Sequence, residues 1–96
     1  MQYIVIAHDR PNVLEKRLSV RSQHIAMGDK MRAEGHYHMG VALLNDANEM
    51  VGSVMIVEFP TRDAVDAWLK VEPYILNKVW DRYEVIPCNI GPTFLK

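Results

Sequence analysis

The chain has a single cysteine, Cys88, and no apolar run near the roughly 20 residues that a membrane-spanning helix needs. One cysteine excludes an internal disulfide framework and fits a reducing compartment. The sequence also lacks a Gly-rich phosphate loop, a CxxC pair and a serine nucleophile elbow. These absences argue against nucleotide chemistry, thiol redox chemistry and serine hydrolysis, and we expect no cofactor.

Charge of one sign is not concentrated anywhere in the chain. The formal net charge is −1, and Lys and Arg form no dense block. Binding to nucleic acid or to an anionic membrane therefore has no electrostatic basis in this sequence. The first residues, MQYIVIAHDR, lack a basic segment and a small-residue cleavage site, so we expect a cytoplasmic protein whose partners are small molecules and copies of itself.

The 96 residues, of which 49% are hydrophobic, suffice for one compact domain, and we expect residues 1–96 to form it. The run Tyr3 to Ala7 is rich in β-branched and aromatic residues and predicts a buried, central strand. Asn12 can cap the helix that follows, which the apolar spacing predicts over Val13 to Glu34. Gly35 supplies the stop.

The second half of the chain continues with strands, helix and strand. HYHMGVALL and GSVMIVEF, on either side of the polar NDANEMV, predict a hairpin. Thr61 is placed to cap a second helix, RDAVDAWLKV, with one apolar face. EPYILNKVW is interrupted at Pro73 and has room for one more helical turn before a fourth strand, RYEVIPC, that we expect to end at Pro87.

The resulting order, βαββαβ, predicts an α+β protein of the ferredoxin-like kind. Two helices would cover one face of a four-stranded antiparallel sheet, and the other face would be left open. The second and third strands contain too many apolar residues for a solvated face. A second copy of the chain usually covers such a face, so we predict a homodimer.

The first helix carries a polar row between two apolar flanks. At 100° per residue, Arg17, Arg21, His24 and Gly28 fall on one line, between Leu14, Leu18 and Ile25 on one side and Val13, Val20, Met27 and Met31 on the other. A polar row in this position predicts the border of a cleft. Glycine inside a helix costs roughly 1 kcal/mol relative to alanine, so something is expected to approach the backbone at Gly28.

An imidazole among guanidinium groups needs a carboxylate if it is to act as an acid and base. Two acidic residues are candidates for this partner of His24: Asp9, just after the first strand, and Glu72, in the EPY turn. The alternative is that Arg17 and Arg21 extend into solvent or pair with other acids, and that His24 is an ordinary helix residue.

Further candidates for ligand contact lie outside the first helix. His36 and His38 are two residues apart on a predicted strand, which would place both on the same face. With no third ligand evident in the sequence, we favour a role in lining the cleft over a metal site. Tyr74, Trp80 and Tyr83 can form an aromatic wall for a planar ligand, and core packing is the alternative for Trp80.

Two stretches, YIVIAHDRPNVLEKRLSVRSQH and AVDAWLKVEPYILNKVW, resemble the YciI family. The resemblance implies a ferredoxin-like fold, dimerisation as in the dimeric α/β barrels, and an active site centred on a histidine and an aspartate. His24 matches the family histidine, and Asp9 stands where members often carry aspartate. The turn that reads Asp-Pro-Tyr in many members is Glu72-Pro73-Tyr74 here, and EGHYHMGVALL replaces a commoner stretch that contains Gly-Pro.

The sequence thus supports two hypotheses about function. The first is a cofactor-independent enzyme in which His24, oriented by Asp9 or Glu72, transfers a proton on a small hydroxylated aromatic or lactone-like anion, while Arg17 and Arg21 stabilise oxyanion charge. The resemblance implies one specific reaction, the dehydrochlorination of a chlorinated hydroxyquinol. The second hypothesis is a non-catalytic dimeric module that binds a small acidic metabolite or serves as a subunit or accessory domain. The substrate-binding candidates are Arg17, Arg21, Tyr74, His36 and His38.

Overall fold

A computed structural model describes residues 1–95. The secondary structure runs in the order β1 (Gln2–Asp9), α1 (Leu14–Ala33), β2 (Tyr37–Leu44), β3 (Met50–Glu58), α2 (Arg62–Leu69), α3 (Pro73–Leu76) and β4 (Trp80–Cys88), followed by a 3₁₀ turn (Pro92–Leu95). This order confirms the predicted ferredoxin-like α+β fold, with the extra helical turn after the break at Pro73 present as α3.

The four strands form one antiparallel sheet in the order β2-β3-β1-β4, so β1 is central as predicted. Its alternation sets the two faces, because successive side chains of a strand point to opposite sides. Tyr3, Val5 and Ala7 are buried on the helix side, whereas Ile4 and Ile6 are half-buried on the other.

The core lies between the sheet and the helices. Val5 is opposite Met55 on β3 and Val85 on β4, which brings apolar side chains together across three strands. The helices add Val20, Val65 and further apolar side chains to this core. The members of the core cluster are Tyr3, Val5, Ala7, Val20, Met31, Met55, Val57, Val65, Trp68, Leu69, Tyr74, Val79 and Trp80.

The N-cap predicted from the sequence is correct for α2 and wrong for α1. The Thr61 hydroxyl accepts a hydrogen bond from the Ala64 amide at 3.3 Å and caps α2, as predicted. The predicted Asn12 cap is wrong: Val13 occupies the N-cap position of α1 with no side-chain cap, and Asn12 sits in the loop with a φ of 58°. Gly35, with a φ of 81°, follows the end of α1.

The fourth strand ends one residue later than expected. Pro87 lies inside β4, opposite Tyr3, and Cys88 is the last residue of the strand. Proline has no backbone N–H to donate. It is tolerated at this position because β4 is an edge strand, in which the amides on one side do not pair with another strand.

The sheet face opposite the helices is apolar and uncovered in the single chain. Ile4 and Ile6 on β1 are flanked by Ile56 and Val54 on β3, and Ile86 on β4 continues the patch. None of the helices within residues 1–95 combines the length and the apolar character needed to cross a membrane.

Candidate functional site

The polar row of α1 borders a cavity of about 280 Å³ between α1 and β2. Arg17, Arg21, His24 and Gly28 all line it, as their spacing predicted. The opposite wall comes mainly from β2 and β3, including Met39, Val41, Met50 and Met55, and Tyr74 of α3 completes the lining.

His24 is held by Glu72. Its ring nitrogen Nδ1 lies 2.8 Å from Glu72 Oε1, and the glutamate side chain is only 2% exposed. The same carboxylate oxygen accepts a hydrogen bond from the Tyr74 amide at 3.0 Å, so Glu72 is also the N-cap of α3. The start of a short helix therefore fixes the carboxylate, and the carboxylate fixes the imidazole.

Aromatic contacts hold the imidazole from the side. The His24 ring stacks on Tyr74 with centroids 4.2 Å apart and an interplanar angle of 20°. Trp80 lies edge-on to both rings, at 6.3 Å from His24 and 5.7 Å from Tyr74, and is itself buried. Of the three aromatic residues proposed for the cavity wall, Tyr74 lines the cavity and Trp80 packs against Tyr74 in the core. Tyr83 is 43% exposed and does not line the cavity.

The second candidate acid, Asp9, is paired with Arg17 instead of His24. Arg17 Nη1 donates to both Asp9 carboxylate oxygens, at 2.8 and 3.1 Å, and Nη2 donates to Ser53 Oγ at 2.8 Å. The guanidinium carbon also lies 4.7 Å from the centre of the Tyr74 ring. Burial raises the pKa of Asp9, against the opposing pull of Arg17.

The two arginines of the row occupy different environments. Arg17 is 3% exposed and its terminal nitrogens are committed to Asp9 and Ser53. Arg21 is exposed, lines the cavity and forms no ion pair within the described part of the chain. Of these two, Arg21 is therefore the guanidinium that is available to a ligand anion.

The two histidines are not equivalent. His36 precedes β2, which begins at Tyr37, and a register shift between Tyr37 and Met39 interrupts the alternation on which their shared face depended. His38 lines the cavity, and its Nε2 contacts Glu58 Oε1 at 2.6 Å. This hydrogen bond lowers the pKa of Glu58. His36 stacks on Phe59 and bonds the Glu58 carbonyl oxygen at 2.9 Å, outside the cavity lining. The expectation that both histidines line the site is wrong for His36.

No group of three or more His, Cys, Asp or Glu side chains in residues 1–95 is arranged to hold a metal ion.

Sequence reasoning missed Tyr37, which explains the glycine in the polar row. Its ring atom Cε2 lies 3.3 Å from the point where a Gly28 side chain would begin, so the group that approaches the helix backbone is a side chain of this same protein. The tyrosine also lines the cavity. A glycine inside a helix was the one sign in the sequence that a group approaches the backbone at Gly28. The sequence did not indicate that this group is the Tyr37 side chain.

Comparison with known proteins places the fold and the sequence among described relatives. The family model of the YCII-related domain matches residues 1–89. The chain is 34% identical over 93 residues to protein YciI of Escherichia coli O6:H1, which covers 91% of this chain and 95% of that protein. It is 35% identical over 81 residues to a Haemophilus influenzae protein, covering 78% of this chain and 83% of the other.

One solved structure is similar over nearly the whole chain. It is 5-chloro-2-hydroxyhydroquinone dehydrochlorinase of Burkholderia phenoliruptrix AC1100 in complex with 2,5-dihydroxybenzoquinone, with a TM-score of 0.84 and 22% identity. The match covers 97% of this chain and 98% of that one. At this identity the likeness shows the fold.

Proposed function

The chain belongs to the YCII-related family, and we propose that it is a small enzyme in which His24, partnered by Glu72, moves protons on a hydroxylated aromatic ring. The observation that carries the proposal is the 2.8 Å contact between His24 Nδ1 and Glu72 Oε1 at the wall of a cavity. A carboxylate on Nδ1 orients the ring and leaves Nε2 as the atom that exchanges protons with a ligand. Within the described residues Nε2 has no hydrogen-bond partner.

The cavity supplies the other features that a phenolate needs. Arg21, which has no ion-pair partner among residues 1–95, offers a guanidinium for negative charge on oxygen. The cavity volume of about 280 Å³ suits a single substituted ring. The Tyr74 ring, stacked on His24, gives the wall a planar surface. These features support a small anionic aromatic substrate over an extended one.

The specific reaction that we propose is loss of chloride from a chlorinated hydroxyquinol. The dehydrochlorinase with the similar fold acts on 5-chloro-2-hydroxyhydroquinone, and its ligand 2,5-dihydroxybenzoquinone is a flat, oxygenated ring. That similarity, together with the His24–Glu72 pair, supports this substrate class for the present chain.

The chemistry requires only proton transfers. In the proposed sequence, His24 takes a proton from a ring hydroxyl and delivers it to the carbon that carries chlorine, which forms the keto tautomer and leaves the imidazole neutral again. His24 then takes the proton of a second hydroxyl while the carbon–chlorine bond breaks and its electron pair leaves with chloride. The net change is loss of one H⁺ and one Cl⁻, and the product is a hydroxybenzoquinone, with no external oxidant.

The test is turnover of 5-chloro-2-hydroxyhydroquinone under exclusion of oxygen, followed by chloride release and quinone absorbance. We expect His24→Asn to lower kcat by roughly 10²–10⁴-fold, the usual contribution of a positioned general acid or base. Glu72→Gln keeps an oxygen to cap α3 but removes the charge, so kcat should fall while the fold persists. His8→Gln, at the end of β1 and outside the cavity, is the matched control and should retain turnover.

Retention of turnover within tenfold in His24→Asn would refute the catalytic assignment. Binding of 2,5-dihydroxybenzoquinone by the wild-type protein without any turnover would favour a non-catalytic module that binds a small acidic metabolite.

We also propose that two copies associate through the open face of the sheet. This face presents Ile4, Ile6, Val54 and Ile56, and Ile86, which is 42% exposed, extends it onto the edge strand. Apolar patches of this kind usually mark interfaces. We expect a dimer by light scattering at micromolar concentration, a monomer for Ile86→Glu, and an unchanged dimer for the control Leu76→Glu, which alters an exposed residue of α3. A monomeric wild-type protein would rule out this assembly.

A further inference from the structure

Tyr37 is built into the cavity wall by two glycines. On one side its ring lies against the backbone of Gly28 in α1, with Cε2 3.3 Å from the position of an added Cβ. On the other side its hydroxyl occupies the place where a side chain at Gly40 would begin, and Cζ lies 2.9 Å from that point. Even a methyl group at Gly40 would force the ring to move. The position of the phenol is therefore set by the absence of two side chains.

The hydroxyl of Tyr37 has no hydrogen-bond partner within the described residues, and the residue lines the cavity. The hydroxyl is not among the fully buried polar atoms that lack a partner, so water or a ligand can reach it and form the hydrogen bond. Burial, together with the negative charge of Glu72, raises the pKa of Tyr37. The phenol thus remains protonated and is a hydrogen-bond donor at neutral pH.

Tyr37 and His24 face the same space. Gly28 follows His24 by one helical turn, so the two positions lie one above the other on the same face of α1. The Tyr37 ring covers Gly28 on this face. A ring bound in the cavity can contact the imidazole at one end and the phenol hydroxyl at the other.

We propose that the Tyr37 hydroxyl donates a hydrogen bond to a second oxygen of the aromatic substrate, while His24 exchanges the proton of the first. This inference rests on the proposed function and assigns a substrate-contacting residue to it. The neutral donor best stabilises the oxygen that gains carbonyl or oxyanion character when the ring tautomerises. The site would accordingly favour rings with at least two oxygen substituents.

The test is Tyr37→Phe, which keeps the ring between the two glycines and deletes only the oxygen. With 5-chloro-2-hydroxyhydroquinone we expect kcat/KM to fall roughly 10–100-fold, mainly in kcat, because a preorganised donor acts on charge that develops during the reaction. The Kd for 2,5-dihydroxybenzoquinone should rise as well. Tyr3→Phe is the matched control, since the Tyr3 hydroxyl contacts Met1 Sδ at 3.6 Å and lies outside the cavity lining.

Gly40→Ala provides a second, independent variant. The added methyl group displaces the Tyr37 ring, so this variant should lose kcat/KM to a similar degree. The double variant Gly40→Ala/Tyr37→Phe should lose little more than either single variant, because both changes remove the same hydrogen bond. Additive losses would mean that the glycine acts in some other way and would overturn the proposed positioning.

The outcomes separate this inference from the proposed function. Turnover by the wild-type protein with an unchanged Tyr37→Phe variant overturns the role of Tyr37 and leaves the His24 assignment intact. A wild-type protein that neither binds 2,5-dihydroxybenzoquinone nor releases chloride overturns both. Binding without turnover, weakened in Tyr37→Phe but not in Tyr3→Phe, supports the contact and overturns only the reaction.

Discussion

Replacing Arg17 with Met would break a buried ion pair from one side. The Arg17 and Asp9 side chains are each only 4% exposed, and Arg17 also bonds Ser53 at 2.8 Å. Methionine keeps much of the apolar stem but leaves a buried carboxylate without its cation. Such a change typically costs about 3–5 kcal/mol, a large part of the roughly 5–15 kcal/mol by which a domain is stable.

The loss of stability in Arg17→Met should grow with pH. Burial already raises the pKa of Asp9 above its ordinary value of 3.8, and without Arg17 only the smaller effect of His8 opposes it. A carboxyl group whose pKa rises on folding contributes stability that is fully present below its unfolded pKa. This contribution is lost as the pH rises through the folded pKa. The gap to wild type should therefore widen as the pH rises above about 4, where the carboxyl group ionises in the unfolded chain.

Urea denaturation at several pH values, with a double-mutant cycle, measures both effects. Replacing both partners, as in Arg17→Met/Asp9→Leu, should recover most of the loss, because apolar groups of similar volume often replace a buried pair at little cost. Asp9→Asn, which keeps an acceptor for Arg17, is a milder variant that should remain folded. Additivity of the single changes to within about 0.5 kcal/mol, or a loss independent of pH, would refute the reasoning.

Three further predictions concern stability. Thr61→Ala should lower the free energy of unfolding by about 1 kcal/mol through loss of the α2 cap, and Thr61→Ser should restore most of it; equal stability of all three proteins in urea would contradict the cap. Gly35→Ala should cost about 1–2 kcal/mol from its φ of 81° alone, since no atom lies within 4 Å of the added methyl, and a smaller loss is expected for Gly35→Asn. The lowered pKa of Glu58 contributes stability above its unfolded pKa that is lost as the pH falls. The Tm advantage of wild type over Glu58→Gln should therefore shrink on acidification, and it should be smaller in a His38→Gln background because the hydrogen bond from His38 is the main cause of the shift.

The order of elements could be predicted from the sequence because it depends on local periodicity. The run of β-branched and aromatic residues from Tyr3 to Ala7 indicates a buried strand, and the turn-forming residues after it mark its end. The failed cap at Asn12 shows where local rules stop. Asparagine is favoured both as an N-cap and in the left-handed conformation, and the structure uses the second property, with a φ of 58°.

The prediction that His36 and His38 share a strand face was wrong for a related reason, since His36 precedes β2. Strict alternation would have put His36 and His38 on one face, but a register shift at the start of the strand intervenes. A bulge depends on how two strands pair, and pairing is a property of the assembled sheet. Only His38 therefore reaches the cavity.

The sequence by itself determined the polar row of α1 and its place beside a cavity, because four residues on one helix keep their spacing wherever the helix packs. Which carboxylate faces His24 was decided by tertiary structure. Asp9 is nearer to His24 in sequence, yet it forms an ion pair with Arg17. Glu72 is the N-cap of α3, and because α3 packs against α1, its carboxylate lies beside the imidazole. Contacts between distant segments depend on how the helices and the sheet pack together, and the spacing of residues along the chain does not predict that packing.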